Sequence, residues 1–432
     1  MNILLLNPPY KEKMVKEERC EQKAHIFQTT YPPLKLAYLA AILRKKAAVR
    51  ILDCIASDYS ERELMAFYSK EKPDKVFVNT TTQTVKNDLR IIRELYETHP
   101  SEFVLFGVYA AYFRGKISDK KWIITPRNVE EYAYKAIGEK FDKRNLDSLP
   151  FPAWDIVDLN CYRLPLIGEK FVLLQTATGC PYECIFCTVP FYHGKRLVKR
   201  SVGSVIKEIL YLKKLGISNM LFFADNFTLD RRWVKELCRE IIGRKIKIRF
   251  LCNSRVDTVD KETLELMKKA GCWLISFGIE SGNQEILDKA RKGISIEDTK
   301  KAVYEAYRAG ILTLGNFVIG LPGENLSTLK ETIRFANGLN LDFAAFNIAT
   351  PLPGSNLYEK YKNKRIDFEK LEYSSQVISK ELDLGYWQKK AYVSFYSKRT
   401  IARFLRIVKI AGADNLLSIF KSAFYLVFRV LI

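Results

Sequence analysis

Three cysteines near the middle of the chain have a spacing that could hold a metal cluster. Cys180, Cys184 and Cys187 lie within eight consecutive residues. Thiolates are the usual ligands of iron–sulfur clusters, and these gaps would let one loop reach three corners of a four-iron cube. The fourth iron would then be open to a substrate. A zinc site completed by His193, or a set of buried thiols, is the alternative at this point.

The cysteines follow a predicted strand in the stretch 166–355, where strand-like and helix-like segments alternate. Helical segments such as Val205–Leu215 and Arg231–Ile242 separate six short apolar runs. Six strand–helix units predict a partial TIM-type (β/α)6 barrel, in which chemistry takes place at the carboxyl ends of the strands. The runs predicted to be its strands are Phe171–Gln175, Met220–Phe223, Ile246–Cys252, Trp273–Gly278, Leu312–Ile319 and Phe343–Ala349.

A second alternating stretch occupies residues 1–140. Apolar runs such as Val49–Leu52 alternate there with helical spacing such as Leu34–Leu43. This pattern predicts a doubly wound, Rossmann-like parallel sheet with its ligand site at the carboxyl ends of the strands. The sequence contains no Gly-x-Gly-x-x-Gly, so the ordinary dinucleotide fingerprint is absent. Residues 141–165, which include two closely spaced prolines, are predicted to be a linker.

The cysteine loop resembles that of the radical S-adenosylmethionine (SAM) superfamily. That family has Cys-x3-Cys-x2-Cys after a strand, and its usual aromatic residue before the last cysteine is matched by Phe186. The resemblance implies that Cys180, Cys184 and Cys187 are the catalytic ligands of a four-iron four-sulfur cluster whose open iron chelates SAM. One electron from the reduced cluster then cleaves the sulfonium and gives a 5′-deoxyadenosyl radical.

Later segments resemble the SAM-binding strand ends of the same family, in the family's order. Residues 222–228 resemble the strand-end loop whose polar groups meet the amino group of SAM, and a carboxylate or an amide there could accept from its N–H donors. Arg255 could clamp the SAM carboxylate with two hydrogen bonds, and Glu280 could accept from the ribose hydroxyls. Singly, each could be an ordinary capped strand end. The predicted cofactor contacts in this half of the chain are Phe186, Asp225, Asn226, Arg255, Glu280, Ser281 and Gly320.

The beginning of the chain resembles the front domain of the cobalamin-binding branch of the superfamily. The resemblance rests on Asn7–Pro9 and on residues 31–40 and 149–155, and it extends to about residue 360. The sequence lacks the Asp-x-His-x-x-Gly that supplies a histidine ligand to cobalt in some members. The contacts predicted for the cobalamin tail are Thr80, Thr81 and Gly107.

The resemblance implies a radical SAM enzyme that modifies an unactivated carbon by C-methylation, carbon–carbon bond formation or ring closure. Its cofactors would be the cluster, SAM and cobalamin, and its electron would come from a one-electron reductant such as ferredoxin or flavodoxin. A tRNA-modifying methyltransferase or methylthiotransferase-like enzyme is one alternative, although the extra cysteines and RNA-binding domain of those relatives are not evident. A cobalamin-independent radical SAM oxidoreductase is the other.

The composition bears on partners more than on chemistry. The formal net charge is +21, from 70 Lys and Arg residues against 49 Asp and Glu residues. Such a charge suits an anionic partner, but a solvated basic surface explains it equally well. We do not expect a nucleic-acid partner. The first residues lack a secretory signal, and nine cysteines in a chain of this size suit a reducing compartment, so we expect a cytoplasmic protein.

The end of the chain changes character. Residues 356–432 are predicted to be mostly helical, and the segment 400–432 combines apolar residues with Lys and Arg. A helix of this type could lie in a membrane interface as a peripheral contact, or it could cover a protein surface. This pattern is the reason to expect a hydrophobic or membrane-derived small-molecule substrate.

Overall fold

The chain folds into two compact units, Met1–Arg163 and Leu164–Ile432, which are called the front unit and the second unit below. Each unit contains one large parallel sheet whose strands alternate with helices. The computed structural model describes residues 1–17, 20–23, 30–117, 123–126, 128–364, 366, 368, 382–398 and 400–422.

The front unit contains a five-stranded parallel sheet and a short antiparallel hairpin. The strands are β1 (Asn2–Asn7), β2 (Met14–Glu17), β3 (Cys20–Lys23), β4 (Ala48–Asp53), β5 (Lys75–Asn79), β6 (Glu102–Phe106) and β7 (Ile123–Ile124). The sheet has the order β4-β1-β5-β6-β7, and β2 pairs with β3 in the hairpin. The strand order reverses at β1, so the crevice between β1 and β5 is the topological switch point, where ligands bind in such sheets.

Helices connect the strands of the front unit. They are α1 (Leu34–Leu43), α2 (Glu61–Glu71), α3 (Val85–Thr98), α4 (Val108–Tyr112), α5 (Arg114–Ile117) and α6 (Val129–Ala136). Every residue of α1 is buried, whereas α2 and α3 bury one face against the core. Three short 3-10 turns follow α6, at Leu146–Ser148, Trp154–Ile156 and Leu159–Cys161.

The second unit is built on a six-stranded parallel sheet. The unit as a whole has eight strands among the described residues, of which six form this sheet. They are β8 (Phe171–Gln175), β9 (Ala177–Thr178), β10 (Val198–Lys199), β11 (Asn219–Phe223), β12 (Arg249–Arg255), β13 (Cys272–Glu280), β14 (Leu312–Ile319) and β15 (Phe343–Ile348). The order β15-β14-β13-β12-β11-β8 follows the sequence, and β9 and β10 form a separate pair. This is the (β/α)6 arrangement predicted from the sequence, and all six carboxyl ends lie along one edge.

The helices of the second unit begin soon after the strand-end loops. They are α7 (Val189–Tyr192), α8 (Val202–Lys214), α9 (Arg231–Gly243), α10 (Lys261–Lys269), α11 (Gln284–Lys289), α12 (Ile296–Arg308), α13 (Leu326–Gly338), α14 (Asn356–Tyr361), α15 (Leu384–Tyr396) and α16 (Thr400–Ala411). Side-chain oxygens of Ser201, Asp230 and Asp260 cap α8, α9 and α10. Because a cap fixes where a helix starts, it also limits the length of the loop before it.

Several strand bounds differ from the predictions by one or two residues, and the short pair β9–β10 was not predicted. Two further differences have a clear physical reason. The strand expected from Ile246 begins at Arg249, because Lys245 adopts a left-handed conformation and the Ile246 amide donates to the Ile241 carbonyl. These residues therefore form the helix-ending turn, where apolar side chains can still be buried. The hairpin β2–β3 was not predicted at all, because its strands have only four residues each.

The end of the chain is helical where it is described. α16 is followed by a turn at Ala413–Asn415, and residues 416–422 are again helical. The rest of the predicted interfacial segment, 423–432, lies outside the described residues. Within the described part of the chain, no helix is both long and apolar enough to cross a bilayer.

Candidate active site

The cysteine loop connects β9 to α7 at the carboxyl edge of the second sheet. The Cys180 amide donates to the Gly194 carbonyl (3.2 Å), and the Ile185 amide donates to the Ala290 carbonyl (3.0 Å). Gly179 has a φ of +85°, and a Cβ there would collide with the carbonyl of Arg196. Main-chain contacts on both sides thus hold the loop, and only glycine fits at its entry.

The three predicted cluster ligands are not joined in disulfides. Cys184 is buried, whereas Cys180 and Cys187 are partly exposed. Within the described ranges, no group of three His, Cys, Asp or Glu side chains is close enough to hold one metal ion. A cube places each thiolate on a different iron, so a cluster spaces its ligands more widely than a single ion does. The donor set therefore fits a cluster by its chemistry and its position on one loop.

Asp225, which follows β11, contacts the entry of the cysteine loop. Its Oδ2 accepts from the Gly179 amide (2.7 Å) and lies 2.8 Å from Nδ1 of His193. The side chain is almost fully buried. The sequence suggested Asp225 as a contact of SAM, and the structure uses it to join the strand end to the loop. His193 is thus a neighbour of Asp225, a role that the sequence analysis missed.

Asn226 has an unsatisfied donor. Its Oδ1 accepts from the Arg255 amide (3.3 Å) and from the hydroxyls of Thr228 and Thr258. Its Nδ2 is buried and has no hydrogen-bond partner among the described residues. A buried donor without a partner is costly, so this nitrogen fits a ligand with acceptor oxygens, such as the carboxylate of SAM.

Arg255 is held by protein groups on several sides. Its Nε and one terminal nitrogen each bond a different carboxylate oxygen of Asp257 at 2.9 Å. The guanidinium carbon lies 3.4 Å from the centre of the Tyr182 ring. The other terminal nitrogen lies 3.9 Å from the sulfur of Cys184. The two-pronged bond predicted for the SAM carboxylate is therefore made to Asp257, a residue that the sequence analysis did not select.

Glu280 ends β13 in a strained conformation. Its φ is +67°, which a residue with a side chain rarely adopts, and the pairing of β13 with β14 is irregular here. Its Oε1 lies 2.7 Å from Nζ of Lys292, and both side chains are buried. A Cβ on Gly278 would lie 2.6 Å from this oxygen and 2.8 Å from the ammonium. The missing side chain at Gly278 thus leaves room for the ion pair of Glu280 and Lys292. The sequence analysis did not select Lys292.

The other three predicted contacts of SAM in this unit differ in whether polar or apolar groups surround them. The hydroxyl of Ser281 is buried and lies 3.1 Å from that of Thr332. Phe186 packs against the apolar cluster of α11 and α14. The Gly320 amide donates to the Glu324 carboxylate, whose Oε1 is buried without a partner in the described structure. Burial raises the pKa of Glu324 to about 7, and its free oxygen could accept from an N–H or O–H group of SAM.

The three predicted cobalamin contacts lie together at the carboxyl ends of β5 and β6, but their polar groups are already used. Thr80 donates to Asp88 (2.7 Å), and Thr81 is bonded to Thr84. A Cβ on Gly107 would collide with the Thr80 carbonyl, so close packing of the backbone explains this glycine. In this conformation the hydroxyls of Thr80 and Thr81 are thus engaged within the protein, and their contact with a cobalamin tail stays a prediction.

Two other residues of the front unit do offer such atoms near the switch point. Asn7 ends β1, and its Nδ2 donates to Asp53 (2.8 Å), which leaves Oδ1 buried without a partner in the described structure. Gln83, in the loop after β5, likewise has a buried Oε1 without a described partner. Amide oxygens can accept from N–H and O–H groups, which the side-chain amides and ribose of cobalamin carry. The crevice therefore fits such a ligand through Asn7, which lies in a motif of the resemblance, and through Gln83, which the sequence analysis did not select.

Comparison with known proteins decides the family. Residues 174–336 match the family model described as the radical SAM superfamily. The chain is also 30% identical over 441 residues to an uncharacterized methyltransferase of Pyrococcus horikoshii, and the match covers 92% of each chain. The chain belongs to the radical SAM superfamily. Membership confirms the four-iron four-sulfur cluster and SAM as cofactors, and it favours the cluster over the zinc alternative.

Two further relatives resemble both units of this radical SAM protein. The anaerobic magnesium-protoporphyrin IX monomethyl ester cyclase of Rubrivivax gelatinosus is 27% identical over 398 residues, which cover 82% of this chain and 71% of the cyclase. The structure of the radical SAM methyltransferase TsrM from Kitasatospora setae, solved with cobalamin and a [4Fe-4S] cluster, has a TM-score of 0.64. The match has 20% sequence identity and covers 84% of this chain and 78% of TsrM. This likeness confirms the predicted α/β fold class.

Proposed function

We propose that this radical SAM enzyme methylates an unactivated carbon of a small apolar molecule, with cobalamin held by the front unit. The observation that carries the proposal is the match over 92% of both chains to a methyltransferase, together with an intact cysteine loop. Ring closure on a similar substrate is the second candidate, because the cyclase relative matches 82% of the chain. A ferredoxin- or flavodoxin-type protein would supply the electron.

The residues of the second unit have separable roles in this proposal. When bound, the cluster supplies one electron to the sulfonium of SAM, and cobalamin would carry the methyl group. Gly179 and Asp225 hold the entry of the cysteine loop. The free Nδ2 of Asn226 would bind an acceptor of SAM, and the free oxygen of Glu324 would bind a donor. The apolar cluster that includes Ile185 and Phe186 would keep water from the loop.

The proposal is tested by supplying hydroxocobalamin to protein purified without oxygen. We expect about four irons and one cobalt per chain, because three cysteines bind one cluster and the front unit binds one corrinoid. With isotopically labelled methylcobalamin and candidate apolar substrates, the label should appear on a carbon of the product. Four irons with no cobalt would rule out the cobalamin proposal and favour the oxidoreductase alternative.

The free oxygen of Gln83 gives a sharper test of the front unit. In Gln83→Leu we expect the Kd for cobalamin to rise about tenfold, as loss of one buried hydrogen bond of about 1.4 kcal/mol implies. Cobalt content should then fall by a similar factor when free cobalamin is well below the Kd. Iron content should not change. Thr81→Val is the matched control, because the Thr81 hydroxyl is bonded to Thr84 and should not contact the ligand. Equal cobalt loss in both variants would contradict the assignment.

We also propose a peripheral contact between the end of the second unit and an anionic membrane surface. Ile401 and Leu405 of α16 are 77% and 62% exposed, and Leu417 and Phe420 are 70% and 58% exposed. Exposed lysines flank these apolar residues at 409 and 421. Arg406 contributes less positive charge to this surface than the sequence suggested, because its guanidinium pairs with Asp342 within the unit. Exposed apolar residues between cations suit a bilayer with anionic headgroups.

Vesicle sedimentation tests this contact. The protein should bind vesicles with anionic lipid, should bind neutral vesicles weakly, and should be released as salt is raised. Leu405→Glu combined with Leu417→Glu should abolish binding, whereas Leu210→Glu, at a 40% exposed site on α8, should not. Equal vesicle binding of the double variant and of Leu210→Glu would refute the proposal. A wild-type dimer in solution that dissociates only in the double variant would also refute it, because the apolar residues would then form a dimer interface.

A further inference from the structure

Arg255, the last residue of β12, has a side chain that is only 6% exposed, and its hydrogen-bond donors can be counted. A guanidinium carries five N–H donors. Nε and one terminal nitrogen each donate to a different carboxylate oxygen of Asp257 at 2.9 Å, and the same terminal nitrogen donates to the Lys292 carbonyl at 2.8 Å. The two remaining donors belong to the other terminal nitrogen. Its one hydrogen-bond acceptor among the described residues is the sulfur of Cys184, at 3.9 Å.

The cysteine loop fixes the orientation of this guanidinium. Tyr182 lies between Cys180 and Cys184 in the sequence, and the guanidinium carbon lies 3.4 Å from the centre of the Tyr182 ring. The Tyr182 hydroxyl lies 3.4 Å from an oxygen of Asp257, the carboxylate that holds the same guanidinium. The arginine therefore cannot turn away from the sulfur without losing this stacking contact and its three hydrogen bonds to Asp257 and the Lys292 carbonyl.

Little water screens the charge of Arg255 at the sulfur. Cys184 is buried, and so is the guanidinium, whereas the counterion Asp257 is 22% exposed. Water screens a partly exposed carboxylate more than it screens a buried cation. The carboxylate therefore cancels only part of the field of the guanidinium at the sulfur.

Hydrogen bonds and charges at the ligand sulfurs are among the features that set the reduction potential of an iron–sulfur cluster. A cysteine that binds iron is a thiolate, and its negative sulfur can accept an N–H bond. A cluster that takes up one electron gains a negative charge, which is shared among its irons and sulfurs. A cation that donates to one of these sulfurs therefore stabilises the reduced form.

We propose that Arg255 is a positioning residue of the cluster, which donates to the sulfur of Cys184 and thereby raises the reduction potential of the cluster. Tyr182 and Asp257 hold the guanidinium for this contact. Since Nε and one terminal nitrogen are already bonded, the guanidinium is not available for a two-pronged bond to the carboxylate of SAM. The inference rests on the cluster at the three cysteines, and it is independent of cobalamin and of the substrate.

The test is a redox titration of the anaerobically reconstituted full chain without SAM, followed by the electron paramagnetic resonance signal of the reduced cluster. In Arg255→Met the ratio of reduced to oxidised cluster at the wild-type midpoint potential should fall about tenfold, which is a shift of about 59 mV for one electron. In Asp257→Asn the ratio should rise, because the guanidinium loses its counterion. Arg255→Lys should give a smaller fall than Arg255→Met, because the ammonium keeps the charge but lacks the planar fork.

Opposite shifts in Arg255→Met and Asp257→Asn separate an electrostatic role from structural damage, which would move both variants in the same direction. Arg403→Met is the matched control, because Arg403 is also buried and its guanidinium carbon lies 3.8 Å from the centre of the Phe395 ring. Arg403 bonds the Leu341 carbonyl just before β15, at the opposite edge of the sheet from the cysteine loop. This control should lower stability and leave the potential unchanged.

Binding of SAM to the oxidised protein separates this role of Arg255 from a direct contact with SAM. Equilibrium dialysis with labelled SAM should give a Kd for Arg255→Met within about threefold of the wild-type value. A rise of about tenfold in this Kd with an unchanged potential would overturn the proposal and make Arg255 a contact of SAM. Shifts of the same sign in the two variants, or no shift in Asp257→Asn, would also overturn it, even if Arg255→Met fails to fold. Absence of any cluster signal in the wild-type protein would instead contradict the cluster itself.

Discussion

Replacement of Cys184 by alanine is expected to remove the iron and abolish SAM cleavage. The cluster has three protein ligands, and Cys184 is the buried one, held in place by the main-chain bonds of Ile185. With two thiolates left, the cube loses a corner ligand and cannot be retained. Iron should fall from about four per chain to trace amounts. Formation of 5′-deoxyadenosine with dithionite as reductant should fall below detection.

The control is another buried cysteine in the same unit. Cys238 lies in α9 and is fully buried, so Cys238→Ala makes a comparable cavity away from the loop. We expect this variant to lose some stability and to keep its iron and its SAM cleavage. If Cys184→Ala kept a full complement of iron, the assignment of the cluster to this loop would be wrong.

Replacement of Arg200 by methionine is expected to destabilise the folded protein by about 3–5 kcal/mol, because it leaves a buried charge unpaired. Arg200 pairs with Glu208, and their side chains are 3% and 0% exposed. Arg200 also bonds the carbonyl of Gln175, at the end of β8 and before the cysteine loop. The free energy of unfolding should be measured by urea denaturation of anaerobic protein.

The pH dependence of this variant has a definite sign. Burial raises the pKa of Glu208 even when Arg200 is present. Without the cation the folded-state pKa rises further, so the folded protein loses stability as pH rises from the unfolded pKa towards the folded one. The destabilisation should therefore be larger at pH 8 than at pH 6. A loss that is independent of pH would show that Glu208 does not carry the effect.

Two controls isolate the buried charge. Lys300→Met breaks a surface pair with Glu297, whose side chains are 52% and 79% exposed, and should cost less than about 1 kcal/mol. The double variant Arg200→Met with Glu208→Leu should recover most of the lost stability, because it removes the unpaired charge. If the double variant were as unstable as Arg200→Met, lost packing would be the cause.

The prediction of the fold succeeded because it rests on local patterns. Phe171–Gln175 and Leu312–Ile319 are strands with the predicted bounds. The first is an almost wholly apolar run, which suits a strand buried on both faces. The hairpin β2–β3 was not predicted, and β12 was predicted to begin at Ile246 although it begins at Arg249. Four-residue strands carry too little periodicity, and the end of α9 depends on the conformation of one residue, Lys245.

The boundaries at 140, 165 and 355 and the roles of the cofactor contacts remain predictions. For the front unit the structure adds Asn7 and Gln83 as candidate contacts to the Thr80, Thr81 and Gly107 of the sequence prediction. Thr80 and Thr81 are bonded within the protein, whereas Asn7 and Gln83 each have an oxygen without a partner among the described residues. All four are polar residues at strand ends, and nothing local distinguishes them. Their partners come from other parts of the chain, so only the folded structure separates them.

The sequence by itself indicated the chemistry of this protein, because the three cysteines and Phe186, which carry the family resemblance, lie on one short loop. It also determined the alternation of strands and helices that places this loop at the edge of a parallel sheet. Only the tertiary structure decided which charges meet there. Arg255 bonds Asp257 and approaches Cys184, and Lys292 neutralises Glu280. The physical reason is that a sequence specifies the type of each charged side chain, whereas burial and packing select its partner.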